Sequence, residues 1–212
     1  KPFGIVERQD HPLFGQFCAA LGDVNGDGYD DVAVSTFKDT TFIFFGGDTL
    51  DAMVDGFVLG GSGGVVGIDL NGDGWRDLVT VYRAPHTDSL RGLVNIYFQL
   101  HQAPHFLPVP DLVMSSPPDQ RLGMPNGTYP GIAALDYNGD GIEDLAVGCM
   151  EREDSLAGYV RLYLGGPTAD TLVDAEFRST HKSFRGIRAL YGVALMAGDC
   201  NGDGADELMI AG

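Results

Sequence analysis

The sequence predicts an all-β chain of propeller-like blades, and three observations carry that reading. A nine-residue acidic turn, Asp-x-Asn-Gly-Asp-Gly-x-x-Asp/Glu, occurs four times. Each copy lies between short apolar segments rich in Val, Ile, Leu and Ala. The copies start at residues 23, 69, 136 and 199, and the segments between them lack the periodicity of an amphipathic helix of any length. A repeat of about that size made only of strands is what a propeller blade or similar β array requires.

The elements follow in order. Phe3–Glu7 reads as the last strand of a preceding unit, residues 1–12. The first full unit, 13–60, has an inner strand over Phe17–Leu21, the turn, a second strand over Asp31–Ser35 and a third over Thr41–Gly47. A weaker fourth strand follows near Gly56–Leu59. The second unit, 61–119, repeats this with Val65–Ile68, Asp77–Tyr82, Leu93–Phe98 and Asp111–Met114. The third, 120–184, has Ile132–Leu135, Asp144–Val147, Tyr159–Gly166 and Ala175–Ser179. The fourth, 185–212, is incomplete, with Val193–Met196 and Glu207–Ile210 only. The strands beside each turn are apolar on both faces, as expected of sheets packed between two neighbours. Segments 101–110 and 119–129, rich in Pro, Gly and polar residues, read as surface loops. Gly60–Gly64 reads as a tight entry into a blade and does not match a phosphate-binding glycine motif.

The turn has the chemistry of a calcium loop. Calcium takes six to eight oxygens at about 2.3–2.6 Å, so a short loop must curl and offer several in succession. The candidate ligands are Asp23, Asn25, Asp27 and Asp31; Asp69, Asn71, Asp73 and Asp77; Asp136, Asn138, Asp140 and Asp144; and Asp199, Asn201, Asp203 and Glu207. The backbone carbonyl of the seventh residue (Tyr29, Trp75, Ile142, Ala205) is expected to add a donor, since its side chain varies. Gly at the sixth position supplies the sharp turn. An EF-hand would need a carboxylate at position twelve and flanking helices, but Val34, Thr80, Val147 and Ile210 stand there, within apolar runs that read as strands. Acidic turns with no metal remain possible for one copy, because Asn-Gly and Asp-Gly favour turns unaided. Four copies with acids at the same offsets point to a cation that offsets their repulsion. The fourth site, with the longer Glu207, is expected to close differently or bind more weakly.

The formal charge of −17 argues against a nucleic-acid partner, and 15 of the 30 acidic residues lie in the four turns. No apolar run is long enough to span a membrane, and no signal peptide is visible. Lys1 in place of an initiator Met suggests a mature or excised piece. Cys18, Cys149 and Cys200 are too few for a disulfide framework and are expected to be small buried residues. Loops of this kind suit extracellular calcium levels, which suggests export. Asn126-Gly127-Thr128 is a formal glycosylation sequon.

The order Phe-Gly, strand, acidic loop, strand, Gly-x-Val-x-Ile-Tyr resembles the FG-GAP repeat of integrin α-subunit-type β-propellers. The Phe-Gly pair stands as Phe14-Gly15 and is loosened to Leu122-Gly123 and Tyr191-Gly192, with no equivalent before the second loop. The Gly-Ala-Pro half survives only as Ala84-Pro85. The resemblance implies about three and a half four-stranded blades of a seven-bladed ring, up to four calcium ions on one face, and a protein or glycan ligand on the other. No catalytic motif is visible: His11, His86, His101, His105 and His181 form no zinc-spaced cluster, and there is no Gly-x-Ser-x-Gly or Walker loop. The expectation is a non-catalytic, secreted or cell-surface propeller acting in adhesion, ligand binding or scaffolding, with calcium in a structural role. The alternative is the propeller portion of an extracellular enzyme such as a polysaccharide lyase or phospholipase.

Overall fold

The computed structural model describes residues 14–36, 39–49, 51, 53–61, 63–83, 92–116, 120–123, 131–151, 158–178, 191–192 and 194–211. The expected Phe3–Glu7 strand, Ala84-Pro85, the Asn126 sequon, His11, His86 and His181 lie outside the described residues. Among the described residues, fifteen strands form four antiparallel sheets and no helix occurs.

The first sheet runs β1 (Cys18–Gly22), β2 (Asp31–Ser35), β3 (Thr40–Phe44) and β4 (Gly56–Leu59), in that spatial order. The second runs β5 (Gly64–Ile68), β6 (Asp77–Arg83), β7 (Gly92–Tyr97) and β8 (Leu112–Ser115). In the third, β10 (Ile132–Leu135), β11 (Asp144–Glu151), β12 (Tyr159–Tyr163) and β13 (Ala175–Arg178) repeat the meander, and β9 (Gln120–Leu122) is added. The fourth consists of β14 (Ala194–Gly198) and β15 (Glu207–Ala211). First strands neighbour one another, β1 beside β5, β5 beside β10 and β10 beside β14. These are successive blades of a β-propeller, with their first strands innermost.

Packing explains the doubly apolar strands. Alternate residues of one strand enter different cores, because side chains on a strand point to opposite faces. On β6, Leu78 packs with Leu21, Val24, Ile43 and Phe106 between the first two sheets. Its neighbours Val79 and Val81 pack with Leu145 and Val147 between the second and third. On β11, Ala146 turns away from Leu145 and Val147 to join Leu135, Val160 and Leu162, against Leu195, Leu208 and Ile210. Each core thus belongs to a pair of sheets, and no blade buries its apolar surface alone.

Three features depart from the sequence reading. The strand β9 was not anticipated; it pairs with the far end of β11 through Leu122↔Cys149 and Gln120↔Glu151, where β11 outruns the expected Val147. Gly63 donates its N–H to Val81 O (2.8 Å), filling before the second loop the place where no Phe-Gly pair stands. Gly15, Gly123 and Gly192 make the matching bonds to Ser35, Gly148 and Ala211. Finally, only Cys149 is buried, whereas Cys18 and Cys200 are exposed. Cys149 lies in the core between the second and third sheets. Cys18 opens β1, and Cys200 sits in the turn of the two-stranded sheet.

Candidate metal centres

All four acidic turns join the first and second strands of their sheets, so the meander places them at one end of the blades. Within a turn the backbone curls around the first aspartate. Asp23 accepts N–H groups from Gly26 (2.7 Å) and Asp27 (3.0 Å) on Oδ1 and from Gly28 (2.7 Å) on Oδ2. Asn25 Oδ1 accepts the same Asp27 N–H (2.9 Å), so the first and third residues hold oxygens side by side. Asp27 closes the curl, taking Tyr29 N–H on Oδ1 (2.9 Å) and Asn25 Nδ2 on Oδ2 (3.0 Å). Gly28 has φ +89°, as its counterparts Gly74, Gly141 and Gly204 also have positive φ, a conformation that a Cβ would oppose. The second and third turns repeat the pattern through Asp69, Asn71 and Asp73, and through Asp136, Asn138 and Asp140. The fourth does so through Asp199, Asn201 and Asp203, except that Asn201 Nδ2 donates to Glu207 and not to the fifth residue.

The ninth residue behaves differently. Asp31, Asp77 and Asp144 are fully buried. Each accepts the second residue's N–H on one oxygen and a backbone N–H beyond the third strand on the other. The pairs are Val24 with Gly46, Leu70 with Gln99, and Tyr137 with Gly165, all at 2.8–3.1 Å. This carboxylate therefore fastens the turn to the sheet. Glu207 reaches Cys200 N–H (2.8 Å) and, through its extra methylene, Asn201 Nδ2 (2.6 Å). Its fastening stays inside the turn.

Asp31, Asp77 and Asp144 are shifted one way, and Asp23 and Asp199 the other. Burial pushes Asp31 and Asp144 up and raises Asp77 to about 7, against the lowering effect of their backbone N–H bonds. For Asp23, burial acts upward, but backbone N–H groups outweigh it and hold the carboxyl below its ordinary value. The N–H groups of Gly202 and Gly204 lower Asp199 likewise.

No three His, Cys, Asp or Glu side chains among the described residues form a ready-made metal cluster. Each turn combines two carboxylates and an asparagine in its curl, with the ninth acid turned towards backbone N–H groups. The donor set nevertheless fits a hard divalent cation. In the first three turns every side-chain donor on offer is an oxygen, and a carboxylate oxygen that accepts a single N–H, such as Asp23 Oδ2, keeps a second lone pair. Those three loops, with no thiolate or imidazole of their own, do not suit a thiophilic metal, whereas the fourth carries the exposed Cys200 as its second residue.

Residues 69–147 match the family model described as an FG-GAP-like repeat. That segment is similar to an FG-GAP repeat. It begins at the first aspartate of the second turn and ends within β11, after the third turn. No match to a curated protein was found. FG-GAP repeats are typical of extracellular and cell-surface β-propellers.

Sequence reasoning missed several neighbours of the turns. His101 Nε2 lies 2.9 Å from Asp73 Oδ2, and its ring stacks on Trp75 at 5.5 Å. Gln99 donates from Nε2 to Val24 O (2.6 Å), linking the second sheet to the first turn. Both come from the segment after β7, 22 to 28 residues from their acidic partners, where no local pattern marks them. The eighth residues of the turns were also left without a role. Arg76, Glu143 and Asp206 all contact a neighbouring unit.

Proposed function

We propose that the chain is a non-catalytic, calcium-stabilised FG-GAP propeller segment of a secreted or cell-surface protein, serving adhesion, ligand binding or scaffolding. The observation that carries the reading is the fourfold curl that sets first-, third- and fifth-residue oxygens side by side. Asp23, Asn25, Asp27 and Asp31 and their equivalents in the other turns would hold the ion, with the seventh-residue carbonyl as a further donor. The bound ion neutralises crowded carboxylates and fixes the hairpin to its sheet; it has no chemical step to perform. Four ions would reduce the formal charge of −17 by eight. A protein or glycan ligand would then engage the end away from the turns.

An enzyme reading would be favoured by an open cluster of basic and aromatic groups at that far end. Among the described residues, the basic and aromatic groups there are internally matched. Arg161 and Arg178 both pair with Glu176 (3.3 and 2.7 Å) and both lie over the Tyr159 ring, whose hydroxyl donates to Gln120. Burial pushes the Cys149 thiol up to about 12, which disfavours the thiolate that a nucleophile needs. Isothermal titration of the calcium-stripped chain with calcium chloride tests the proposal. Saturable binding at two or more sites, lost turn by turn on Asp27→Ala and Asp140→Ala, is the expected result. Absence of binding by a folded chain would overturn it.

A further inference from the structure

The turns touch one another in a repeating way. A methyl placed on Gly26 would lie 3.5 Å from the Trp75 ring of the next turn. On Gly72 it would lie 2.8 Å from Ile142 Cδ1, and on Gly139 it would lie 3.4 Å from Ala205 Cβ. In all three cases the seventh residue of one turn covers the fourth-residue glycine of the turn before it.

The eighth residue adds a polar link. Glu143 Oε2 accepts the N–H of Asp69 (2.8 Å), the first residue of the preceding turn. Asp206 Oδ2 accepts the N–H of Asp136 (2.9 Å), and Asp206 N–H donates to Asp136 O (2.7 Å). Glu143 is further held by Arg76 Nη2 (3.0 Å), whose Nη1 donates to Gly67 O (2.7 Å). Gly166 N–H donates to Leu70 O (2.8 Å), tying the third sheet to the second turn once more. At the first junction the eighth residue is Arg76, which has no acceptor for Asp23 N–H, and Gln99 makes the link to Val24 O instead.

Resting on the calcium reading above, we infer that Glu143 and Asp206 are positioning residues for the metal site of the preceding turn, and that neighbouring sites are thereby coupled. The peptide N–H they hold belongs to the residue whose carboxylate leads the ligand set. A turn ordered by its ion fixes its own eighth residue, and that residue fixes the next ligand set along the row. Linkage makes the effect reciprocal. Neither Glu143 nor Asp206 stands at a ligand position of its own turn, so a substitution there should act on the neighbour.

Trp75, the single tryptophan, lies in the second turn and against the first, so terbium luminescence excited through tryptophan reports that pair. The test titrates terbium into wild type, Asp140→Ala, Glu143→Ala, Glu143→Gln and the Asp140→Ala/Glu143→Ala double variant, each checked for fold by circular dichroism. Asp140→Ala damages only the third site, yet it should weaken the Trp75-reported affinity by about three- to tenfold. Glu143→Ala should do the same without touching a third-site ligand, and Glu143→Gln, which keeps an acceptor oxygen, should restore most of it. In the double variant the effect of Asp140→Ala should vanish. Unchanged Trp75-reported affinity in the folded single variants, or additive effects in the double variant, would overturn the coupling while leaving metal binding intact. No terbium signal in folded wild type would overturn both the metal reading and the coupling.

Discussion

The second and fourth acidic turns share a pattern but not a setting. The second is clasped from both sides: Asp77 is fully buried and bonded to Leu70 and Gln99, Glu143 holds Asp69 N–H, and Ile142 covers Gly72. In the fourth, Glu207 is bonded within the turn, and among the described residues nothing lies within 4 Å of a methyl placed on Gly202. The nine residues therefore make the curl, and the neighbouring units make it rigid. Local sequence sets the ligand geometry, whereas stability at that geometry comes from the row.

The largest expected effect is a pH dependence of the calcium-free chain. Asp77 has a folded value of about 7 against an ordinary 3.8, so the native state keeps a proton that the unfolded chain releases between them. That contribution is present at low pH and is lost as pH rises towards about 7, to the extent of roughly 4 kcal/mol. Asp31 and Asp144 act in the same direction, whereas the lowered Asp23 and Asp199 act in the opposite one and lose their contribution as pH falls through their folded values. Urea unfolding in EDTA at pH 5 and pH 7.5 should show the chain more stable at the lower pH. Asp77→Asn should flatten most of that difference, and a slope unchanged by Asp77→Asn would remove Asp77 from the explanation.

Next in size is the contrast between two ninth-residue truncations in the calcium-free chain. Asp77→Ala strands two buried N–H groups and should cost about 3 kcal/mol, while Glu207→Ala, in an exposed turn, should cost about 1 kcal/mol or less. Equal losses by denaturant titration would erase the distinction between clasped and open turns. Smallest is the glycine pair. Both Gly72 and Gly202 have positive φ (72° and 82°), so alanine should cost about 1 kcal/mol at each from backbone strain alone. Gly72→Ala adds the collision with Ile142 and should cost about 2 kcal/mol. Thermal unfolding of the two variants side by side resolves the difference.

The fold was legible because its determinants are local. The Asn-Gly-Asp-Gly turns punctuate the chain, and apolar runs on either side, such as Ile132–Leu135 and Asp144–Val147, announce strands buried on both faces. What escaped was non-local. Nothing in the spacing of Glu143 and Asp69, 74 residues apart, says that they share a hydrogen bond. Likewise nothing marks Gln99 as the partner of Val24 or His101 as the partner of Asp73. Strand β9 is three residues long and its pairing depends on the length of β11, so no pattern of its own announces it. Cys18 and Cys200 were misjudged because burial depends on which sheet faces a strand or turn, and residue type alone does not tell that.

The central claim is that these turns hold structural calcium, and a thermal melt tests it most directly. The chain is unfolded once in excess EDTA and once in millimolar calcium, followed by circular dichroism. At about 100 times the dissociation constant each occupied site adds roughly 2.7 kcal/mol, so several sites should raise the melting temperature by many degrees. A chain that is folded in EDTA and melts at the same temperature in calcium would contradict the claim.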